Sequence, residues 1–359
     1  MAATAPERPS DVPSAPARAV VAGSGLLRGG WTRMLGLAVA VALLVAVTLG
    51  SVLLGTLPVG LSDVVGALTG PPDSDVERAV RYIRIPRTAT GLLAGTALGV
   101  AGAVMQGLTR NPLAGPGLLG VNAGAALAVV LAMVGLGITT AAGYVWFAFA
   151  GAAVAAVFVY LLGSLGLGGA TPVKLALAGS AFTALLGAIT TMITLRDAST
   201  MDDFRYWVVG SLTRSDGEAL TAVAPLIAVG VVVAAGLTRA LNALALGDDL
   251  ARSLGTRLWI DRTVGALAVV LLAGGATAIA GPIGFIGLVV PHVARMVAGP
   301  DYRWVLAWTA VLAPTLLLVA DVLGRVLVRP EQLQVGIITG LAGAPFFLYL
   351  VRNRKVVGT

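Results

Sequence analysis

From Met34 to Leu57 the chain runs for 24 residues without a charge, MLGLAVAVALLVAVTLGSVLLGTL. A helix rises about 1.5 Å per residue, so about 20 such residues cross the roughly 30 Å hydrocarbon layer of a bilayer. Comparable runs recur near 88–108, 118–136, 143–163, 173–195, 219–238, 263–280, 282–298, 304–324 and 336–351. Strands of a membrane barrel would alternate apolar and polar residues over about ten positions; these runs are apolar throughout. The expectation is an all-α polytopic membrane protein of about ten transmembrane helices. With 57% hydrophobic and 11% charged residues, against about 25% charged in a soluble domain, the chain cannot cover itself with a polar surface. Its 47 glycines suit helices that pack through small residues.

Residues 1–33, rich in Pro, Ala, Ser and Gly at their start, read as a disordered cytoplasmic leader, and 34–355 as one ten-helix transmembrane domain. The first apolar run is too long for the core of a signal peptide. At Gly281–Pro282–Ile283–Gly284 two apolar runs are separated by almost nothing, which leaves a tight hairpin or one broken helix. Ten spans put both termini on one side. Placing them in the cytoplasm gives 15 Lys/Arg inside and nine outside, the direction the positive-inside rule demands. The cations flank spans, so the net charge of +7 does not mark a nucleic-acid binder. Cysteine is absent, which removes disulfides, thiolate metal sites and Cys nucleophiles. One histidine, His292, is a poor ligand set and reads as a packing residue. The chain has no GxxxxGK[ST] phosphate loop, so ATP hydrolysis is not expected of it; no bound cofactor and no enzymatic role are expected for this chain.

Two stretches carry chemistry. The first, Arg84 to Gly124, opens with Arg84 and Arg87 around Pro86, which fixes the backbone between them. A helix-length apolar run follows, and then a polar knot, Gln106–Gly107–Leu108–Thr109–Arg110–Asn111–Pro112. Gln106 lies within a span and must face the bundle or a pathway, not lipid. The second, Arg239 to Arg262, is too short and polar to span. Leu250, Leu254 and Leu258 recur every fourth residue after Asp248 and Asp249, while Gly247 and Gly255 punctuate two short helices. Its apolar face lies either on the bilayer or in a groove on a partner.

Eight blocks in order resemble one family, the permease subunits of ABC importers for iron–siderophore complexes, haem and vitamin B12 (type II importers). They are Arg84–Ile85–Pro86–Arg87, GAVMQGLTRNPLAGPGLLGVNAGAA (102–126), LALAGSAF (175–182), WVVGSL (207–212), LGDDLARSLG (246–255), AGPIGFIGLVVPHVARM (280–296), ADVLGR (320–325) and VGIITGLAGAPFFLYL (335–350). The resemblance spans roughly residues 35 to 355. It implies a multi-pass protein of the cytoplasmic membrane, paired with an identical or similar permease subunit, two cytoplasmic ATPase subunits that use ATP and Mg, and an extracytoplasmic substrate-binding protein. It implies that Arg84, Arg87 and Arg325 pair with acidic residues of that binding protein. It places gate residues at Asn111 and Leu113, with Gln106 as a pathway candidate. It makes Leu246, Gly247, Asp248, Asp249, Ala251, Arg252, Leu254 and Gly255 the element that couples to the ATPase. The expected cargo is ferric siderophore, with vitamin B12 or haem as the alternative. Asp321, four residues before Arg325, is expected to orient it, since i and i+4 partners share a helix face. One departure stands out: where the family commonly has Glu-Leu-Pro before Val-Gly, this chain has Glu331–Gln332–Leu333–Gln334 before Val335–Gly336.

Two readings from other classes fit less well. An ion-coupled secondary transporter should show ionisable residues within spans and an inverted repeat, and neither is evident in the sequence. An intramembrane enzyme needs a nucleophile–base or metal constellation, which a chain with no Cys and one His does not supply.

Overall fold

A computed structural model describes residues 25–165, 171–213 and 217–352, which are helical with no strand among the described residues. The helices are α1 (Gly30–Leu53), α2 (Leu61–Thr69), α3 (Asp75–Ala79), α4 (Ile85–Thr109), α5 (Val121–Leu136), α6 (Ala141–Ser164), α7 (Pro172–Thr194) and α8 (Ala198–Val208). They continue with α9 (Gly217–Gly236), α10 (Thr238–Ala245), α11 (Asp248–Ser253), α12 (Leu258–Val269), α13 (Gly275–Ala280), α14 (Ile286–Ala298), α15 (Tyr302–Val326) and α16 (Val335–Arg352). Five-residue π-helical turns, Val80–Arg84 and Val270–Gly274, join α3 to α4 and α12 to α13.

Every apolar run expected to span becomes helix, but not all to the same length. Among the described residues seven helical stretches are long and apolar enough to cross a membrane, while Val121–Leu136, Ile286–Ala298 and Val335–Tyr349 are shorter. The described stretch α3–α4 is 78% buried over its most apolar window, against 11% for α1 and for α7. So α4 is the axial post of the bundle, and α1 and α7 lie on its outside. Small residues make this possible. A Cβ on Gly102 of α4 would lie 1.8 Å from the Gly287 carbonyl oxygen of α14, so the two backbones touch and only glycine fits there. Gly124 of α5 and Gly151 of α6 meet in the same way.

The Gly281–Gly284 junction is a break inside the bundle. Gly281 (φ +70°) and Phe285 (φ +67°) take left-handed conformations that end one helix and start the next. α14 begins beside Leu98 and Gly102, partway along α4, and its 13 residues reach about 20 Å. The expected full crossing at 282–298 is therefore corrected to a short helix. It ends where the amides of Leu26 and Leu27 donate to the carbonyls of Met296 and Val297. Those bonds also correct the leader: residues 25–29 are held against α14 and α1 starts at Gly30, while residues 1–24 lie outside the described residues. Arg214, Arg354 and Lys355, counted among the flanking cations, lie outside them as well.

Candidate functional site at the two ends of one helix

The start of α4 meets the end of α1. The last carbonyls of a helix have no amide partner within it, and here side chains from two other elements supply donors. Arg84 donates to the carbonyls of Val52 (2.9 Å), Leu53 (2.9 Å) and Leu57 (2.6 Å). Arg325 of α15 donates to the carbonyls of Ser51 and Leu54, both at 2.9 Å, and to the Ser51 hydroxyl at 2.9 Å. The Ser51 hydroxyl also meets that of Thr88 at 2.9 Å.

Between the arginines sits Asp321, whose side chain is fully buried. Arg87 donates to Oδ1 from Nε (3.0 Å) and Nη2 (2.8 Å) and to Oδ2 from Nε (3.1 Å), and Arg325 reaches Oδ2 at 3.0 Å. A buried charge persists only when paired and hydrogen-bonded, and this carboxylate is held from two helices. The expected i,i+4 orientation of Arg325 by Asp321 is present; Arg87, 234 residues away in sequence, is the added partner. Arg87 also donates to Gln332 Oε1 at 2.7 Å, so the departure Glu331–Gln332 supplies an acceptor for the cluster. The Gln334 side-chain oxygen is buried and has no hydrogen-bond partner among the described residues.

Arg84, Arg87 and Arg325 are 6%, 5% and 3% exposed. The sequence places them at a surface; the structure places their guanidinia beneath it, engaged by this chain's own groups.

At the other end, α4 closes on Arg110, a non-glycine residue in the left-handed conformation (φ 50°, ψ 34°). The amide of Asn111 donates to the Gln106 carbonyl at 3.3 Å. The Leu113 amide donates to Asn111 Oδ1 at 2.9 Å, the side-chain-to-backbone turn that Asn forms readily. Asn111 is exposed and Leu113 half-buried, in one turn. Gln106 is buried within the bundle. Its amide nitrogen donates to the Leu288 carbonyl at 3.1 Å, and its oxygen accepts from Arg295 of α14. Of the two environments open to it, the structure selects the bundle.

The 239–262 segment sits beside this turn. Leu241 and Leu244 of α10 are buried, as is Leu258 at the start of α12. By contrast Leu246, Leu250 and Leu254 are each more than half exposed. Ala251 is fully buried, so α11 rests on the bundle by a small residue and turns Leu250 away, between the exposed flanking Leu246 and Leu254. Gly247 (φ +104°) and Gly255 (φ +83°) take backbone conformations that side chains rarely adopt, which fixes where α11 starts and stops. Asp248 pairs with Arg110 at 3.1 Å and with Arg262 at 2.9 Å. Asp249 pairs with Arg252 at 3.0 Å along the helix surface. Sequence reasoning counted Arg110 and Arg262 only as membrane-flanking cations; the signal that could have found them is the acid pair between them.

Two cavities complete the picture. A cleft of about 700 Å³ beside α11 carries Arg239, Arg257 and Arg303 on its walls. An apolar groove of about 450 Å³ lies between α14, α15 and α16 and includes Phe285 and Phe346. His292 is buried, with its ring edge-on to Phe346 at 6.4 Å between centroids. Among the described residues no group of three or more His, Cys, Asp or Glu could hold a metal ion.

Comparison with known proteins gives a consistent result. The profile of the FecCD transport family matches residues 43–353. The ferric enterobactin transport system permease protein of Escherichia coli (strain K12) is 46% identical over 312 residues, 87% of this chain and 93% of that protein. The hemin transport system permease protein of Yersinia pestis is 39% identical over 278 residues, 76% of this chain and 83% of that protein. A solved structure described as an inward-facing conformation of a metal-chelate type ABC transporter superposes with a TM-score of 0.78 at 26% identity, covering 89% of this chain and 99% of that one.

Proposed function

The chain belongs to the FecCD transport family of ABC importer permeases, and from that premise we propose that it carries ferric siderophore across the cytoplasmic membrane. It works as one of two permease subunits, identical or similar, with two cytoplasmic ATPase subunits that hydrolyse ATP with Mg and an extracytoplasmic binding protein that delivers the cargo. Both termini and the Asn111 end face the cytoplasm, as the excess of Lys/Arg at that end favours. The chain itself performs no catalysis and binds no cofactor.

The observation that carries this reading is the exposed set Leu246, Leu250 and Leu254 on and immediately flanking α11, a helix held by Ala251 and Asp248. An apolar ridge of that kind docks into a groove on a partner, here the ATPase. ATP binding closes the ATPase pair, the ridge moves with it, and the bundle alternates between outward and inward access. Asn111 and Leu113 form the gate turn at the cytoplasmic mouth. At the opposite end the binding protein docks over Arg84, Arg87 and Arg325. Their burial gives them a positional part in that docking: they hold the ends of α1, α4 and α15 in one rim.

Ferric siderophore is favoured over haem by the higher identity to the enterobactin permease, 46% against 39%. Uptake decides it. Proteoliposomes holding the whole complex should accumulate radiolabelled ferric siderophore when supplied with ATP and binding protein. Accumulation of hemin or cobalamin alone would transfer the assignment to that cargo.

A further inference from the structure

We propose that Asp248, gripped by Arg110 and Arg262, is the positioning residue that ties the coupling helix to the gate turn. The inference rests on the reading of α11 as the ATPase-docking element and of Asn111–Leu113 as the gate.

α11 is only six residues long, and it is bounded on each side by a left-handed glycine, Gly247 and Gly255. A helix framed in that way can pivot, because the backbone on either side is not part of a continuous rod. Its Leu250 and the flanking Leu246 and Leu254 are exposed, while Ala251 gives it a small buried foothold. What fixes its angle is charge. Asp248 Oδ1 lies 3.1 Å from an Arg110 guanidinium nitrogen as an ion pair, and its two oxygens accept hydrogen bonds from Arg262 (3.0 and 2.9 Å). Among the described residues Asp249 and Arg252 pair with each other, within α11.

The two arginines lead to different places. Arg262 belongs to α12, close in sequence to the coupling segment. Arg110 belongs to the last turn of α4 and is the residue immediately before Asn111. Its left-handed backbone is held at its amide by Gly107 (3.4 Å), and the next amide by Gln106 (3.3 Å). A displacement of Asp248 therefore acts, through one guanidinium, on the residue that sets the direction of the Asn111–Leu113 turn. Beyond that turn Gln106 connects to α14 through the Leu288 carbonyl and Arg295. The path from the coupling helix to the gate is thus one ion pair long, and the path onward to α14 is hydrogen-bonded throughout.

The carboxylate is 28% exposed, and Arg110 and Arg262 are 37% and 18% exposed. Such a pair is weak enough to be remade in a different geometry during each cycle, yet it is directional while it holds.

The test uses the assembled complex in proteoliposomes and measures siderophore imported per ATP hydrolysed. Asp248→Asn and Arg110→Gln should hydrolyse ATP while importing about fivefold less per ATP, the lower range of a coupling between sites. Arg110→Lys, which keeps the charge, should retain most of the wild-type ratio. An unchanged ratio in both Asp248→Asn and Arg110→Gln overturns the proposal. A second measurement is independent of the ATPase and of the cargo. The chain has no cysteine, so spin labels at Leu113→Cys and Leu254→Cys in the purified permease report the gate-to-coupling distance directly. Asp248→Asn should broaden that distance distribution, and an unbroadened distribution counts against the link. If the unmodified complex neither assembles with an ATPase nor imports any chelate, it is the functional reading that fails, and the label distances still decide the link.

Discussion

Asp321 and Asp248 are each held by two arginines, one pair at either end of α4, yet the surroundings give the two groups opposite properties. Asp321 is fully buried, gripped by Arg87 of α4 and by Arg325 of α15, and Arg325 also caps the end of α1. Asp248 is partly exposed, at the root of a six-residue helix with glycine at both ends. In the buried group each charge depends on the others, because water cannot replace a lost partner. In the exposed group water competes for each contact, so any one pair is worth little and can be exchanged. The same donor and acceptor chemistry therefore gives a fixed joint at one end and a movable one at the other.

This contrast can be broken at its strong side first. Asp321→Ala leaves two buried guanidinia facing each other and should cost about 3–5 kcal/mol, read as a large fall in the unfolding midpoint of the purified permease. A fall no larger than that of a surface substitution would show that the cluster is hydrated and not a fixed joint. The next largest effect belongs to the movable side. Gly255→Pro cannot take the left-handed φ of that position. It should reduce permease-stimulated ATP hydrolysis by at least tenfold, about 1.4 kcal/mol in barrier, while the complex still assembles. Unchanged hydrolysis would remove α11 from the coupling path. The smallest effect is at Arg252→Ala, whose pair with Asp249 is open to solvent. Little or no change in the unfolding midpoint is expected, because exposed pairs are screened; a clear, salt-insensitive loss would mean that α11 is more rigid than the contrast requires.

Much of this was legible in the residues and some was not, for definite reasons. The ten apolar runs mark the helices because lipid tolerates little else. Their lengths were less readable: nothing in the apolar run 282–298 shows that Phe285 takes a left-handed conformation and starts α14 beside Gly102. Local pairs were readable, as with Asp321 and Arg325 four residues apart. Arg87 was not assigned to Asp321, because a contact 234 residues away has no periodicity to reveal it. Arg110 was counted as one more cation flanking a span, a role that Lys or Arg fills at almost any helix end. Its distinction lies in the αL turn that aims it at Asp248, and side-chain direction of that kind is set by tertiary structure. The exposed leucines were half readable: their spacing marked an amphipathic face, but Leu258, in the same register, is buried at the start of α12.

The brevity of α5 bears on the membrane as well as on the protein. Its 16 residues span about 24 Å, and Leu131, Val134 and Leu136 on its later turns are exposed. A helix of that length is shorter than the roughly 30 Å hydrocarbon layer of an average bilayer. Where lipid meets a wall that short, the bilayer thins locally at an elastic cost that rises with acyl-chain length.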